Sequence, residues 1–261
     1  MQSELASALR LVGQELLRCR AAGITDGEWQ GSQFKARVDM IADQCLRDAL
    51  PRIADLPIVS EEDCVSQAGP RPREYWLIDP LDGTASFVHN FSGFVTQVAL
   101  MREGRPWLAA AYAPALDRLY VAERGKGASL NGRRIAARAI DRQRLTLVDN
   151  YPEARGVAAR LFHDLRCSRY LESGSIGLKI CLVADGSADV FVKDVVVRDW
   201  DVAAPHLILD EAGGALTQFS GQSFEYSGDY QKCGLLAAAS LALWRETEAI
   251  TASYRLTPET S

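Results

Sequence analysis

Residues 76–84 of this 261-residue chain read Trp-Leu-Ile-Asp-Pro-Leu-Asp-Gly-Thr. An apolar run ends in two carboxylates, Asp79 and Asp82, and a glycine and a threonine follow at once. Pro80 stops a strand and fixes the backbone, so the pattern predicts both acids at a bend, not on opposite faces of a sheet. Gly83 permits close approach to the main chain, and the amides beyond it can open a helix whose N-terminus favours an anion. Carboxylates suit hard cations such as magnesium. Beside a turn that accepts an anion, they outline metal-assisted hydrolysis of a phosphate ester.

Two further segments carry acids in matching settings. Leu-Pro-Ile-Val-Ser-Glu-Glu-Asp (56–63) is again a short apolar run ending in carboxylates. Two strands tipped with acids can bring them together along one sheet edge, where open α/β sheets bind their ligands. Far downstream, Asp199-Trp200-Asp201-Val202-Ala203-Ala204-Pro205 opens an apolar-periodic helix that ends at Gly213-Gly214, which puts Asp201 near a helix start. Each piece alone has a plainer reading: Asp82-Gly83 as a turn, 61–63 as a solvated acidic loop, Asp201 as a helix cap. Glu62 and Asp63 keep that plainer reading. Histidines 89, 163 and 206 are too dispersed for a zinc site, and Gly125-Lys126-Gly127 reads as a turn.

The elements that must position these acids follow from periodicity. Leu5, Leu9, Val12, Leu16 and Leu17 predict a helix over 3–21, and Phe34, Val38, Ile41, Cys45 and Leu46 predict a second over 33–50, with a loop from Gly23 to Gly31 between them. A strand-rich stretch spans Gly93 to Glu123, with turns at Glu103-Gly104, at Pro114 to Asp117 and later at Asn131-Gly132. The second half reads as a strand at 145–149, helices near 154–165 and 174–185, a strand at 188–193, a helix over 200–212 and a last helix near 240–253. This alternation predicts a layered α/β fold. Connectivity suggests two halves, 1–145 with most of the candidate ligands and 146–261 with the substrate side and Asp201.

Composition bounds the rest. Hydrophobic residues make up 48% and charged residues 24%, enough for a sizeable core. A net charge of −5 leads to the expectation of no nucleic-acid polymer and no membrane among the partners, while a small phosphorylated metabolite stays admissible because bound cations invert the local field. Six scattered cysteines (19, 45, 64, 167, 181 and 233) form no Cys-x-x-Cys pair and read as reduced thiols. The N-terminus carries charges where a signal peptide needs an apolar core, and a soluble, cytoplasmic protein is expected.

Taken in order, Asp-Pro-Leu-Asp-Gly-Thr, then Trp-Asp-Val-Ala-Ala and Glu-Ala-Gly-Gly, resemble the inositol monophosphatase superfamily over nearly the whole chain. The resemblance implies an alternating α/β/α/β/α sandwich of the inositol monophosphatase/fructose-bisphosphatase type. It also implies a phosphatase that uses two or three Mg2+ ions, with Mn2+ as a substitute and Li+ as an inhibitor, and a homodimer. The metal ligands it implies are Glu61, Asp79 (bridging), the Leu81 carbonyl, Asp82 and Asp201, with Glu61 also in the catalytic set. Thr84, paired with Asp39 of Lys35-Ala36-Arg37-Val38-Asp39, would orient the attacking water, and the Gly83 and Thr84 amides would hold the phosphate. On the substrate side it implies Gly174 and Ser175, together with Lys179, Lys193 and Asp201. Lys193 stands where inositol monophosphatases typically carry a glutamate, and with Lys179 it favours a second phosphate. The preferred substrate is therefore 3′-phosphoadenosine 5′-phosphate, as for a bisphosphate nucleotidase. Ala85-Ser86-Phe87-Val88-His89 leans instead to inositol 1-phosphate, the alternative. A sugar bisphosphatase and a non-catalytic metal-binding regulatory protein are the remaining readings.

Overall fold

A computed structural model describes residues 1–24, 26–30, 33–136 and 140–255. The chain opens with α1 (Gln2–Ala21), whose Leu5, Leu9, Val12, Leu16 and Cys19 form one buried face. A two-stranded hairpin follows, β1 (Gly27–Gln30) paired antiparallel with β2 (Gln33–Ala36), and then α2 (Arg37–Ala49). The predicted second helix thus starts at Arg37, and 33–36 are strand; four residues are too few for periodicity to separate the two. Part of the predicted 23–31 loop is β1, and positions 25 and 31 lie outside the described residues.

A seven-stranded sheet comes next, in chain order: β3 (Ile58–Ser60), β4 (Glu74–Asp82), β5 (Val95–Arg102), β6 (Arg105–Ala113), β7 (Arg118–Glu123), β8 (Gly127–Leu130) and β9 (Arg133–Ile135). Among the described residues of this sheet, only the β3–β4 pair is parallel. The tight turns fall where predicted: Glu103-Gly104 and Asn131-Gly132 both take positive φ at two successive residues, as two-residue hairpins of type I′ require. Pro80 does not end its strand. The ladder with β5 shifts register between Asp79 and Asp82 and then resumes, so the proline sits in an irregularity that needs no donor from it. A five-residue helix, α3 (Thr84–Val88), follows directly.

The second half supplies a five-stranded sheet in the order β11-β10-β12-β14-β13. Its members are β10 (Thr146–Asp149), β11 (Arg169–Glu172), β12 (Val190–Arg198), β13 (Ala215–Thr217) and β14 (Gln231–Ala238). Between them run α4 (Gly156–Asp164), α5 (Ile176–Ala184) and α6 (Asp199–Glu211), and α7 (Leu241–Arg255) closes the described chain. β11 escapes the sequence reading because Arg-Tyr-Leu-Glu, partly exposed at a sheet edge, offers no apolar run.

The strands bury both faces, and that stacks the layers. On β4, Trp76 and Ile78 face α1 and α2, while Tyr75 and Leu77 face the opposite way, into a core shared with α5 and α6. The same central core receives Phe191, Leu235 and Ala237 from the second sheet. The outer face of that sheet, with Leu147, Val190, Val192 and Leu236, packs on Val157, Ala158 and Leu161 of α4 and on Leu243 of α7. The result is helix, sheet, helix, sheet, helix. No helix among the described residues is long and apolar enough to cross a membrane.

Candidate metal and phosphate site

The acids converge at the carboxyl ends of β3 and β4. Because these two strands run parallel, Ser60 lies opposite Ile78, and Glu61, whose amide donates to the Ile78 carbonyl (3.3 Å), emerges beside Asp79. The buried Ser60 hydroxyl donates to Asp43 on α2 (2.5 Å), and Arg47 pairs with the same carboxylate (2.6 Å), which holds the strand end against the helix that carries Asp39. Asp201 arrives from the other half of the chain at the third position of α6, where its Oδ2 accepts from the Arg198 amide (2.7 Å) in a capping box. One carboxylate oxygen from each of Glu61, Asp79 and Asp201 then lies within 4.8 Å of the others.

Burial, followed by repulsion from the neighbouring acids, pushes the carboxyls of Glu61 and Asp79 well above the usual range, and burial and Asp82 push Asp201 up to about 7. Three crowded carboxylates, Asp79 buried and Glu61 and Asp201 half-buried, fit a hard divalent cation, whose charge would relieve that repulsion. Asp82 stands outside the triplet. Its Oδ2 accepts from the Gly177 amide (2.6 Å) and its Oδ1 from Ile176 (3.4 Å), at the start of α5. Those amides oppose the rise in its pKa that burial causes.

The turn after β4 is built from close contacts. Gly83 takes φ 93° and ψ 37°, and a Cβ there would meet the Gly93 carbonyl at 3.0 Å and Ser175 Cβ at 3.1 Å, so only glycine fits. Thr84 Oγ1 lies 3.2 Å from Asp39 Oδ1 and 3.2 Å from the Leu81 carbonyl, two acceptors for its single proton. The Leu81 amide in turn donates to Asp79 Oδ1 (3.1 Å).

Of the expected substrate-side residues, Gly174 and Ser175 adjoin this turn. A Cβ on Gly174 would collide with Ser86 Oγ and the Gly93 carbonyl, and the Ser175 amide donates to that same carbonyl (2.9 Å). Ser175 is also the N-cap of α5, accepting from the Leu178 amide (2.8 Å). Lys179 and Lys193 have other partners. Lys193 Nζ pairs with Asp149 Oδ1 at 2.7 Å. Lys179, 1% exposed, donates to Asn150 and stands 3.8 Å from the same Asp149 oxygen. Burial brings its pKa down to about 8, against the pull of Asp149.

Gln97 and Asp149 went unnoticed in the sequence. Gln97 faces Asp79 across the β4–β5 ladder, and its Nε2 reaches both Asp79 Oδ2 (3.3 Å) and the Asp201 carbonyl (3.2 Å). That carbonyl lacks its helical partner because residue 205 is proline. The signal was available: a proline four residues after a candidate ligand frees a carbonyl that some buried donor must satisfy. Asp149 gave no comparable sign.

Comparison with known proteins places these features. The profile of the "Inositol monophosphatase family" matches residues 3–257. Nus factor SuhB of Escherichia coli K12 is 31% identical over 199 residues, covering 73% of each chain. A putative Nus factor SuhB of Neisseria meningitidis serogroup B is 32% identical over 226 residues, covering 82% of this chain and 85% of its own. Among solved structures, an IMPase of Thermotoga maritima superposes with a TM-score of 0.80 at 25% identity, covering 96% of each chain. These relatives correct one expectation. Proteins this similar are named Nus factors, so a nucleic-acid polymer cannot be struck from the partners on net charge. A net charge averages over a surface on which local patches and protein contacts choose the partner.

Proposed function

Because the chain belongs to the inositol monophosphatase family, we propose that it is a divalent-metal-dependent phosphomonoesterase acting on a small hydroxyl-rich phosphate monoester. The observation that carries this is the convergence of Glu61, Asp79 and Asp201 beside the Thr84–Asp39 contact. Glu61, Asp79 and Asp201 would hold the cation, with Asp82 and the Leu81 carbonyl adjoining. A cation held there supplies a bound water of lowered pKa and neutralises charge on the phosphoryl oxygens. Thr84, with its proton directed to Asp39, is left with oxygen lone pairs that accept a hydrogen bond from the attacking water and aim it at phosphorus. The Gly83 and Thr84 amides would hold the phosphate at the turn. Mg2+ as the ion, inhibition by Li+, a homodimer, a cytoplasmic setting and a division near residue 145 belong to the same reading.

The substrate preference moves with the lysines. Lys179 and Lys193 were the reason to favour 3′-phosphoadenosine 5′-phosphate, and Asp149 supplies both with a counter-charge. One carboxylate shared by two lysines leaves a single net positive charge where two free cations were expected, and this weaker field moves the preference from a second phosphate toward the hydroxyls of inositol 1-phosphate. The test is phosphate release from the two compounds in parallel, with Mg2+ and with Mg2+ plus Li+. Inositol phosphate turnover at the higher kcat/KM supports the proposal, and preference for the nucleotide overturns the substrate assignment.

The relatives' name favours a second reading, in which the chain serves as a Nus factor without turnover. No release from any phosphate monoester in the presence of Mg2+ or Mn2+ would select it.

A further inference from the structure

Asp199-Trp200-Asp201 holds two acids, and the site described above uses one. Asp199 is the first residue of α6 and is 0% exposed. Arg71, in the segment that leads from the Glu61 turn into β4, places a guanidinium nitrogen 2.5 Å from Asp199 Oδ2, and Lys232 Nζ stands 3.5 Å from Oδ1. The same guanidinium donates to the carbonyls of Gly228 (3.2 Å) and Asp229 (3.2 Å), contacts the Tyr75 hydroxyl (3.3 Å) and lies 3.8 Å over the Tyr230 ring. The Asp199 amide donates to the Tyr230 carbonyl (2.9 Å). Three segments distant in sequence therefore meet on one arginine: the approach to β4, the lead into β14 and the start of α6.

Desolvation offsets most of the Coulomb gain of a buried ion pair, so net stability is a weak reason for this one, and position is the property it can specify. The fork's donors fix the β14 lead against the approach to β4, and the close charge contact with Asp199 draws the start of α6 to the same point, which an apolar contact would leave free to slide. Asp201 is two residues beyond Asp199, and Glu61 is ten residues before Arg71. Gln67 Nε2 donates to the carbonyls of Ser60 (2.7 Å) and Glu61 (3.2 Å), tying the Glu61 turn to the same segment. We propose that the Arg71–Asp199 pair is a positioning clamp that fixes the start of α6, and Asp201 with it, against the Glu61 and Asp79 strand ends, and so sets the cluster's affinity for a divalent cation. This rests on the metal reading proposed above.

The test is calorimetric titration of the purified protein with Mn2+, alongside kcat at saturating Mg2+. Replacing a group hydrogen-bonded directly to a metal ligand costs about 10- to 100-fold in affinity, and a pair that acts through the backbone two residues away belongs at the lower end of that range. Arg71→Gln and Asp199→Asn are each expected to weaken Mn2+ binding by at least about tenfold, with kcat at saturating Mg2+ within about threefold of the parent. Arg71→Lys should recover part of the affinity, and the double variant should bind little worse than either single one, because both remove the same clamp. Folded variants that bind Mn2+ within about twofold of the parent overturn the clamp while leaving the metal reading intact. Loss of fold in all three single variants also overturns it, since the pair would then serve stability alone. A parent protein that binds no Mn2+ overturns the metal reading, and the clamp falls with it.

Discussion

Replacing Asp201 with asparagine should make the metal-free protein more stable while abolishing its response to metal. The carboxyl of Asp201 is pushed from 3.8 up to about 7 by burial and by the charge of Asp82. Holding that carboxyl near 7 amounts to about 4 kcal/mol of unfavourable free energy for the ionised form. The sign follows from proton binding. The unfolded chain ionises this acid first, so between about pH 4 and pH 7 the folded state holds the extra proton, and stability falls as pH rises through that window. The penalty is absent below it and complete above pH 7. Asparagine retains the carbonyl oxygen that accepts from the Arg198 amide, so the capping box survives, and the main-chain carbonyl that Gln97 contacts is unaffected. Allowing half of the figure for relaxation and for charge shared with Glu61, Asp79 and Asp82, the variant should gain about 2 kcal/mol at pH 8, on the order of 4–8 °C in Tm for a domain of this size. The assay is thermal unfolding in chelator at pH 8 and pH 5, repeated at pH 8 with Mg2+. The parent should rise with Mg2+ as binding to the native state requires, and the variant should not. A lower Tm for the variant in chelator at pH 8, or a difference that is the same at pH 5, would refute the electrostatic reasoning.

Other expectations follow from the same contacts. Thr84→Val removes the hydroxyl that contacts Asp39 while keeping the shape; kcat should drop by about 10²- to 10⁴-fold with Mn2+ affinity unchanged, measured by single-turnover phosphate release and calorimetry. Gln97→Leu deletes the donor to Asp79 and to the Asp201 carbonyl, a loss of about 2–3 kcal/mol by denaturant unfolding; adding Pro205→Ala, which returns an amide to that carbonyl, should recover part of it. Lys193→Met, with its partner Asp149 still facing Lys179, should change the ratio of inositol phosphate to bisphosphate turnover by no more than about threefold, whereas a selective loss of more than about tenfold for the bisphosphate would show a lysine free to bind the second phosphate.

The limits of legibility fall along the same line. Glu61, Asp79 and Asp201 could be read as strand-end and helix-start acids, and the structure brings those three together. Asp82 was read beside them from its spacing to Asp79, and the amides of Ile176 and Gly177 that its carboxylate accepts from lie more than ninety residues away, beyond the reach of any local pattern. The two lysines read as contacts for a second phosphate, and nothing near Lys179 or Lys193 in the chain announces Asp149.

What the sequence determined by itself was local. Hydrophobic spacing drew most helices and strands, glycine and asparagine marked the turns with positive φ, and two acid-tipped apolar runs announced a sheet edge. These signals act over a few residues, through backbone sterics and burial periodicity, so a single chain displays them. Only the tertiary structure decided which charges are spent on one another. Asp149 neutralises Lys193, Arg71 reaches Asp199, and Gln97 finds a carbonyl 104 residues away that Pro205 left open. Such pairings depend on distances across layers, where burial removes water as the competing partner and makes each polar group answer to whatever lies opposite.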